Sequence, residues 1–167
     1  MLGKFVLLLF PLLMAFAASS DLLTMRISNR VVLLLVAAFC AVAMGIGMPL
    51  AEFGLHAACA ALVLVVAFAF FSLGWIGGGD AKLAAATAFW LGFGLTLPYL
   101  LDAAIIGGAM TLLILMVRRW PLPAMLARIS WIDRLHDAKT GIPYGIALAI
   151  AGLLTYSETA VFQRLVG

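Results

Sequence analysis

In Gly74-Trp-Ile-Gly-Gly-Gly-Asp-Ala-Lys-Leu-Ala-Ala-Ala-Thr-Ala88, three consecutive glycines deliver an acid, Asp80, into a run of small apolar residues. Glycine has no Cβ, so Gly77, Gly78 and Gly79 permit irregular backbone and close approach of another segment where a helix begins. A carboxylate at such a junction is the feature around which the remaining segments fall into place.

The surroundings are those of a bilayer. Of 167 residues, 66% are apolar and 10% charged, with a mean hydropathy of +1.23. That leaves too little polar surface to face water, and the chain reads as a multi-span membrane protein. Ten Lys and Arg against seven acids give a net charge of +3. In a membrane protein such an excess reports loop topology, and no basic, aromatic-interleaved stretch points to nucleic acid. Cys40 and Cys59 sit inside separate apolar runs, which excludes a disulfide framework or a zinc ribbon and leaves no metal or cofactor to expect.

The first 20 residues admit two readings, a signal peptide ending at Ala15-Phe16-Ala17 or a first transmembrane helix. The run reaches Asp21 at span length, and Arg26 and Arg30 follow it, which favours the helix. Six apolar segments then match a roughly 30 Å hydrocarbon layer, at approximately 3–21, 30–48, 52–73, 80–96, 98–117 and 141–160. The expected fold is all-α, a polytopic bundle of six transmembrane helices forming a single domain over 1–167. The breakers are Ser28-Asn29, Gly45-Ile-Gly-Met-Pro49, the triple glycine, Gly92-Phe-Gly-Leu-Thr-Leu-Pro98 and Trp120-Pro-Leu-Pro123. Between spans five and six, Ala124 to His136 puts Met125, Leu126, Ile129 and Ile132 on one helical face, predicting an amphipathic helix at the cytoplasmic interface.

The odd connections carry Arg26, Arg30, Lys82, Arg118, Arg119, Arg128, Arg134 and Lys139, against Lys4 and Arg164 on the other side. The positive-inside rule therefore puts the odd loops in the cytoplasm and both termini outside. Asp21, ending the first span, and Asp80, starting the fourth, then share one membrane depth on the cytoplasmic side.

An acid at the centre of a span costs about 2.5–3.5 kcal/mol on insertion scales, so one retained there usually faces protein or water and marks a site. Two carboxylates that meet repel one another when both are charged and can share a single proton. One can then act as general base on water while the other polarises a peptide carbonyl and supplies a proton. A protease must also hold its substrate extended, and bare glycine backbone beside Asp80 offers groups for a strand-like segment to pair with. Lys82 is a candidate neighbour for substrate or for an ionised Asp80, with headgroup anchoring as its alternative. Asp102, His56 and His136 read as structural, and Asp133 and Asp137 as a charged loop face.

Gly77-Gly-Gly-Asp80-Ala-Lys-Leu83 resembles the Gly-x-Gly-Asp-x-Lys-Leu signature of type IV prepilin peptidases, integral-membrane aspartic proteases. Asp21-Leu-Leu-Thr-Met-Arg-Ile27-Ser-Asn29 resembles their first motif, with Ser28 where proline is usual. Lys139-Thr-Gly-Ile-Pro143-Tyr144-Gly145-Ile-Ala147 is similar to the closing helix of the short members that process Flp-type, tight-adherence pilins. The resemblance implies that Asp21 and Asp80 are the catalytic pair and that Gly77, Gly78, Gly79 and Lys82 lie at the substrate. It implies cleavage of a short basic leader after a glycine, ahead of the apolar helix of a prepilin or pseudopilin, at the cytoplasmic face of a bacterial inner membrane. The four-cysteine zinc domain of the long members has no counterpart here, so N-methylation is not expected. Two other classes fit a membrane chain with an intramembrane acid: an ion-coupled transporter or channel component, and a non-catalytic subunit of a secretion machine.

Overall fold

A computed structural model describes residues 2–166, with side chains from Val6 onward. Helix is the only regular structure among the described residues: α1 (Leu2–Thr24), α2 (Asn29–Gly45), α3 (Leu50–Ser72), α4 (Gly78–Val117), α5 (Ser130–His136), α6 (Gly145–Tyr156) and α7 (Ala160–Val166). The boundaries follow local chemistry. Met25 leaves α1 with a φ of 54°, and Ser28, in extended backbone, caps α2 by accepting from the Arg30 N–H at 3.2 Å. Ser28 thus supplies a side-chain cap that a proline at this position would lack. Pro49 precedes α3, Gly77 precedes α4, and Thr159 Oγ1 accepts from the Phe162 N–H at the start of α7.

As a straight rod the 40 residues of α4 would extend about 60 Å, twice the hydrocarbon thickness. They do not run straight, because Gly92 has φ 67° and ψ −178°, a conformation essentially reserved for glycine. The chain doubles back there. Phe71 of α3 packs on Gly78, while His56 of α3 lies 2.7 Å, through Nδ1, from the Phe89 carbonyl, so α3 accompanies the first arm (78–91) along its length. The same helix meets the second arm (93–117) where Cys59 Sγ lies 3.2 Å from Thr96 Oγ1. Asp80 and Ala103, 23 positions apart in the sequence, line one cavity. A carbonyl can only accept, so His56 Nδ1 carries the proton and satisfies an oxygen freed by the break.

The break expected across 92–98 thus falls at Gly92, and Pro98 is accommodated inside the second arm. The first arm is the centre of the molecule: Ala81 and every residue from Leu83 to Gly92 are buried. Four alanines (Ala84, Ala85, Ala86 and Ala88) let neighbouring backbones come close, the usual basis of helix packing where lipid removes the hydrophobic drive between helices. At the arm's inner end Trp90 is fully buried, donates from Nε1 to the Leu35 carbonyl at 3.0 Å, and packs on Phe10 and Phe39 at centroid distances of 5.1 and 5.5 Å.

By length and composition three helices among the described residues can cross a membrane, or four if α6 and α7, bent by 49°, form one path. α2, at 17 residues, is shorter. The amphipathic helix predicted over 124–136 is helical only from Ser130. Ala124–Ile129 instead makes turns off the Pro123 carbonyl, and Ile129 is extended. Two arginines tie this segment down. Arg118 donates to the carbonyls of Leu135 and Gly141 at 2.9 and 3.2 Å, and Arg134 donates to the Leu23 carbonyl at 2.8 Å.

Two outcomes test this architecture in detergent melts. Trp90→Ala should cost about 3–5 kcal/mol and Trp90→Phe, which chiefly removes the hydrogen bond, about 1 kcal/mol. Gly92→Ala should cost about 1–3 kcal/mol from backbone strain, with a further penalty because its Cβ would lie 3.1 Å from the His56 ring. A wild-type melting temperature for Gly92→Ala would mean that the chain does not reverse at this residue.

Candidate active site

Three segments meet at one end of the first arm: the last turn of α1, the start of α4 and the start of α6. α1 continues three residues past Asp21 to Thr24, so Asp21 sits within its final turn, and its side chain is buried at 5% exposure. A buried carboxylate needs donors. Asp21 Oδ2 accepts from the Gly145 N–H at 2.8 Å, a bond between residues 124 positions apart. Gly145 is the first residue of α6, where backbone N–H groups lack helical partners and the helix dipole presents its positive end.

Asp80 occupies the third position of α4, where an acid complements the same dipole. Its carboxylate folds back over Gly77: a Cβ on that glycine would fall 2.7 Å from Asp80 Oδ2. Gly78 and Gly79 are equally constrained, since Cβ atoms there would lie 3.1 Å from the Phe71 ring and 3.2 Å from Ile27 Cβ. The glycines therefore bring the start of α4 against α3 and against the turn after α1. Gly77 remains exposed, and Gly78 and Gly79 are half-buried.

Asp21 and Asp80 reach the same neighbourhood: Gly145, which donates to Asp21, and Gly79, which precedes Asp80, both lie against Ile27, and Tyr144 lines a cavity together with Asp80. Half-buried Asp80 lies at one end of an apolar cleft of about 470 Å³ between α3, the second arm of α4 and α6. Leu62, Val66, Phe70, Phe93 and Leu97 line this cleft and are themselves exposed, so it opens on the apolar outer surface of the helices.

Lys82 points elsewhere. It is exposed, donates to Asn29 Oδ1 at 3.0 Å, and borders a separate cavity between α2, α3 and α4. It ties the starts of α2 and α4 together and is not part of the cleft that Asp80 lines. Asp102 is also absent from that lining, and His56 serves the helix break. Among the described residues no three His, Cys, Asp or Glu side chains converge as a metal set would. Three contributors are poorly marked in the sequence: Gly145, Tyr144 and Ile27. The helix-start signature Pro143-Tyr144-Gly145 was the available signal, but nothing in it points 124 residues back to Asp21.

No curated protein and no solved structure matches the chain. The model of the type IV leader peptidase family matches residues 8–112, a stretch that contains both Asp21 and Asp80. With well over half its length matched, the chain belongs to the type IV leader peptidase family.

Proposed function

We propose that the protein is a membrane-embedded aspartic endopeptidase that removes the short basic leader of a Flp-type prepilin or pseudopilin after a glycine, with Asp21 and Asp80 as its catalytic pair. The observation that carries this reading is the packing of the Asp21 end of α1 and the Asp80 end of α4 around Ile27 and Gly145, with Asp80 lining an apolar cleft. Membership of a leader peptidase family supplies the substrate class.

In the proposed reaction the pair holds one proton. The ionised carboxylate takes a proton from water, which attacks the peptide carbonyl, and the protonated partner hydrogen-bonds the carbonyl oxygen as it gains charge. Collapse of the tetrahedral intermediate breaks the C–N bond and returns a proton to the amine, so the pair ends as it began. The apolar cleft is suited to the hydrophobic segment that follows the scissile bond, leaving the leader on the basic side. The exposed backbone at Gly77 and the free N–H groups of the first turn of α4 are suited to pairing with an extended substrate.

The same reading places six crossings in a bacterial inner membrane, the two arms of α4 counting separately and α2 spanning with the help of its flanks. Both termini then lie outside and the acids at the cytoplasmic face, as the distribution of Lys and Arg supports. The domain is a single peptidase unit over 1–167, with lipid and the prepilin as partners.

Asp21→Asn and Asp80→Asn should each lower cleavage of a prepilin in membranes at least about 100-fold while the protein accumulates normally. Mature pilin produced at wild-type rate by either variant would rule out the pair. A periplasm-active reporter fused after Gly167 should be active, and activity of a cytoplasm-only reporter at that position would overturn the orientation.

A further inference from the structure

Asp21 is held by a group that belongs to no motif containing an acid. The Gly145 N–H at 2.8 Å is the hydrogen-bond donor the structure gives its carboxylate, and the space around it is fully used. A Cβ at Gly145 would stand 2.8 Å from Asp21 Oδ2, 3.1 Å from Asp21 Cβ and 2.8 Å from Ile27 Cδ1. Contacts under 3.0 Å force something to move, and what would move first is the carboxylate or the isoleucine wedged beside it.

The donor is itself anchored. Tyr144, immediately before Gly145, donates from its hydroxyl to the Ala103 carbonyl at 3.1 Å on the second arm of α4, and its ring fills the space that a side chain at Gly107 would need. Tyr144 also lines the cleft with Asp80. One turn of chain therefore grips α4 through Tyr144 and presents a backbone amide to Asp21 through Gly145. As the first amide of α6 it has no partner within its own helix, so the bond to Asp21 competes with nothing.

From this geometry we infer that Gly145 is a positioning residue for the peptidase reaction: its backbone N–H, clear of any side chain, fixes the orientation of the Asp21 carboxylate. The inference rests on the peptidase reading. It requires both the amide and the missing Cβ, so alanine, which keeps the amide, still displaces the acid. A misplacement of about 1 Å at a reacting group costs on the order of 100-fold in rate.

The test uses the full chain in nanodiscs with a leader peptide carrying basic residues, a glycine and an apolar segment. Gly145→Ala is compared in wild-type and Ile27→Ala backgrounds, because Ile27→Ala removes one of the two clashes and leaves the one with Asp21. Gly141→Ala, which adds a methyl in the same connection with nothing within 4 Å, is the control. In both backgrounds Gly145→Ala should lower kcat about 100-fold and leave KM within about threefold, the split expected when a chemical group is displaced and binding is kept. Gly141→Ala should match wild type. A double variant cutting as fast as Ile27→Ala alone, with Asp21→Asn inactive, would overturn the inference and leave the peptidase reading standing. Cleavage by Asp21→Asn would instead remove the peptidase reading.

A second measurement needs neither activity nor a stable Gly145 variant. In Asp21→Ala the Gly145 amide loses its acceptor, so hydrogen exchange in the peptide over 141–148 should speed about tenfold or more, whereas Asp21→Asn, which keeps a carbonyl oxygen, should change it less. Unchanged exchange in Asp21→Ala would show that Asp21 does not hold this amide and would defeat the inference by itself.

Discussion

The reversal at Gly92 is the constraint from which the architecture follows. A single residue with φ 67° sends the second arm of α4 back beside the first, and α3 lies along both. Without it, Asp80 and the Ala103 region would be about 35 Å apart on one helix, and no cleft would end at the acid. His56 makes the reversal tolerable by covering the Phe89 carbonyl that the break leaves open. An unpaired carbonyl within a bilayer is costly, so the glycine and the histidine function together.

Burial of the first arm has a second effect. Alanine is small enough for five neighbouring segments to close around a helix, and the price is that this helix keeps few side chains of its own for packing. Trp90, Phe89 and Leu83 supply the bulk, and Trp90 adds a hydrogen bond that sets the height of α2 against the arm. The acid-bearing end is thereby continuous with a fully packed stretch of helix. Both carboxylates also face the N-terminus of a helix, Asp80 its own and Asp21 that of α6. Each acid thus lies at the positive end of a helix dipole.

Much of this was legible in the residues. Span-sized apolar runs, the triple glycine, Pro49 and the Pro121–Pro123 stretch mark helices and breaks by local physics, and the two acids are conspicuous because bilayer cores exclude them. What was not legible depends on contacts between distant segments. Gly92-Phe-Gly-Leu-Thr-Leu-Pro98 offers three breakers, and only packing against His56 distinguishes Gly92 from Pro98. The apolar face over 124–136 has helical spacing, yet turns off the Pro123 carbonyl and extended Ile129 postpone the helix to Ser130. Lys82 stands two residues from Asp80 and so, at about 100° per residue, on another side of the helix, where Asn29 engages it. The tie between Gly145 and Asp21 has no local signature at all.

Ile27 has a wider consequence. It is an aliphatic spacer set between two glycines, Gly79 at the start of α4 and Gly145 at the start of α6, each of which leads directly to one acid or its donor. The starts of α4 and α6 thus rest on one hydrocarbon branch rather than on a polar contact, which would weaken as water entered. A joint indifferent to pH and salt thus keeps the two helix starts together.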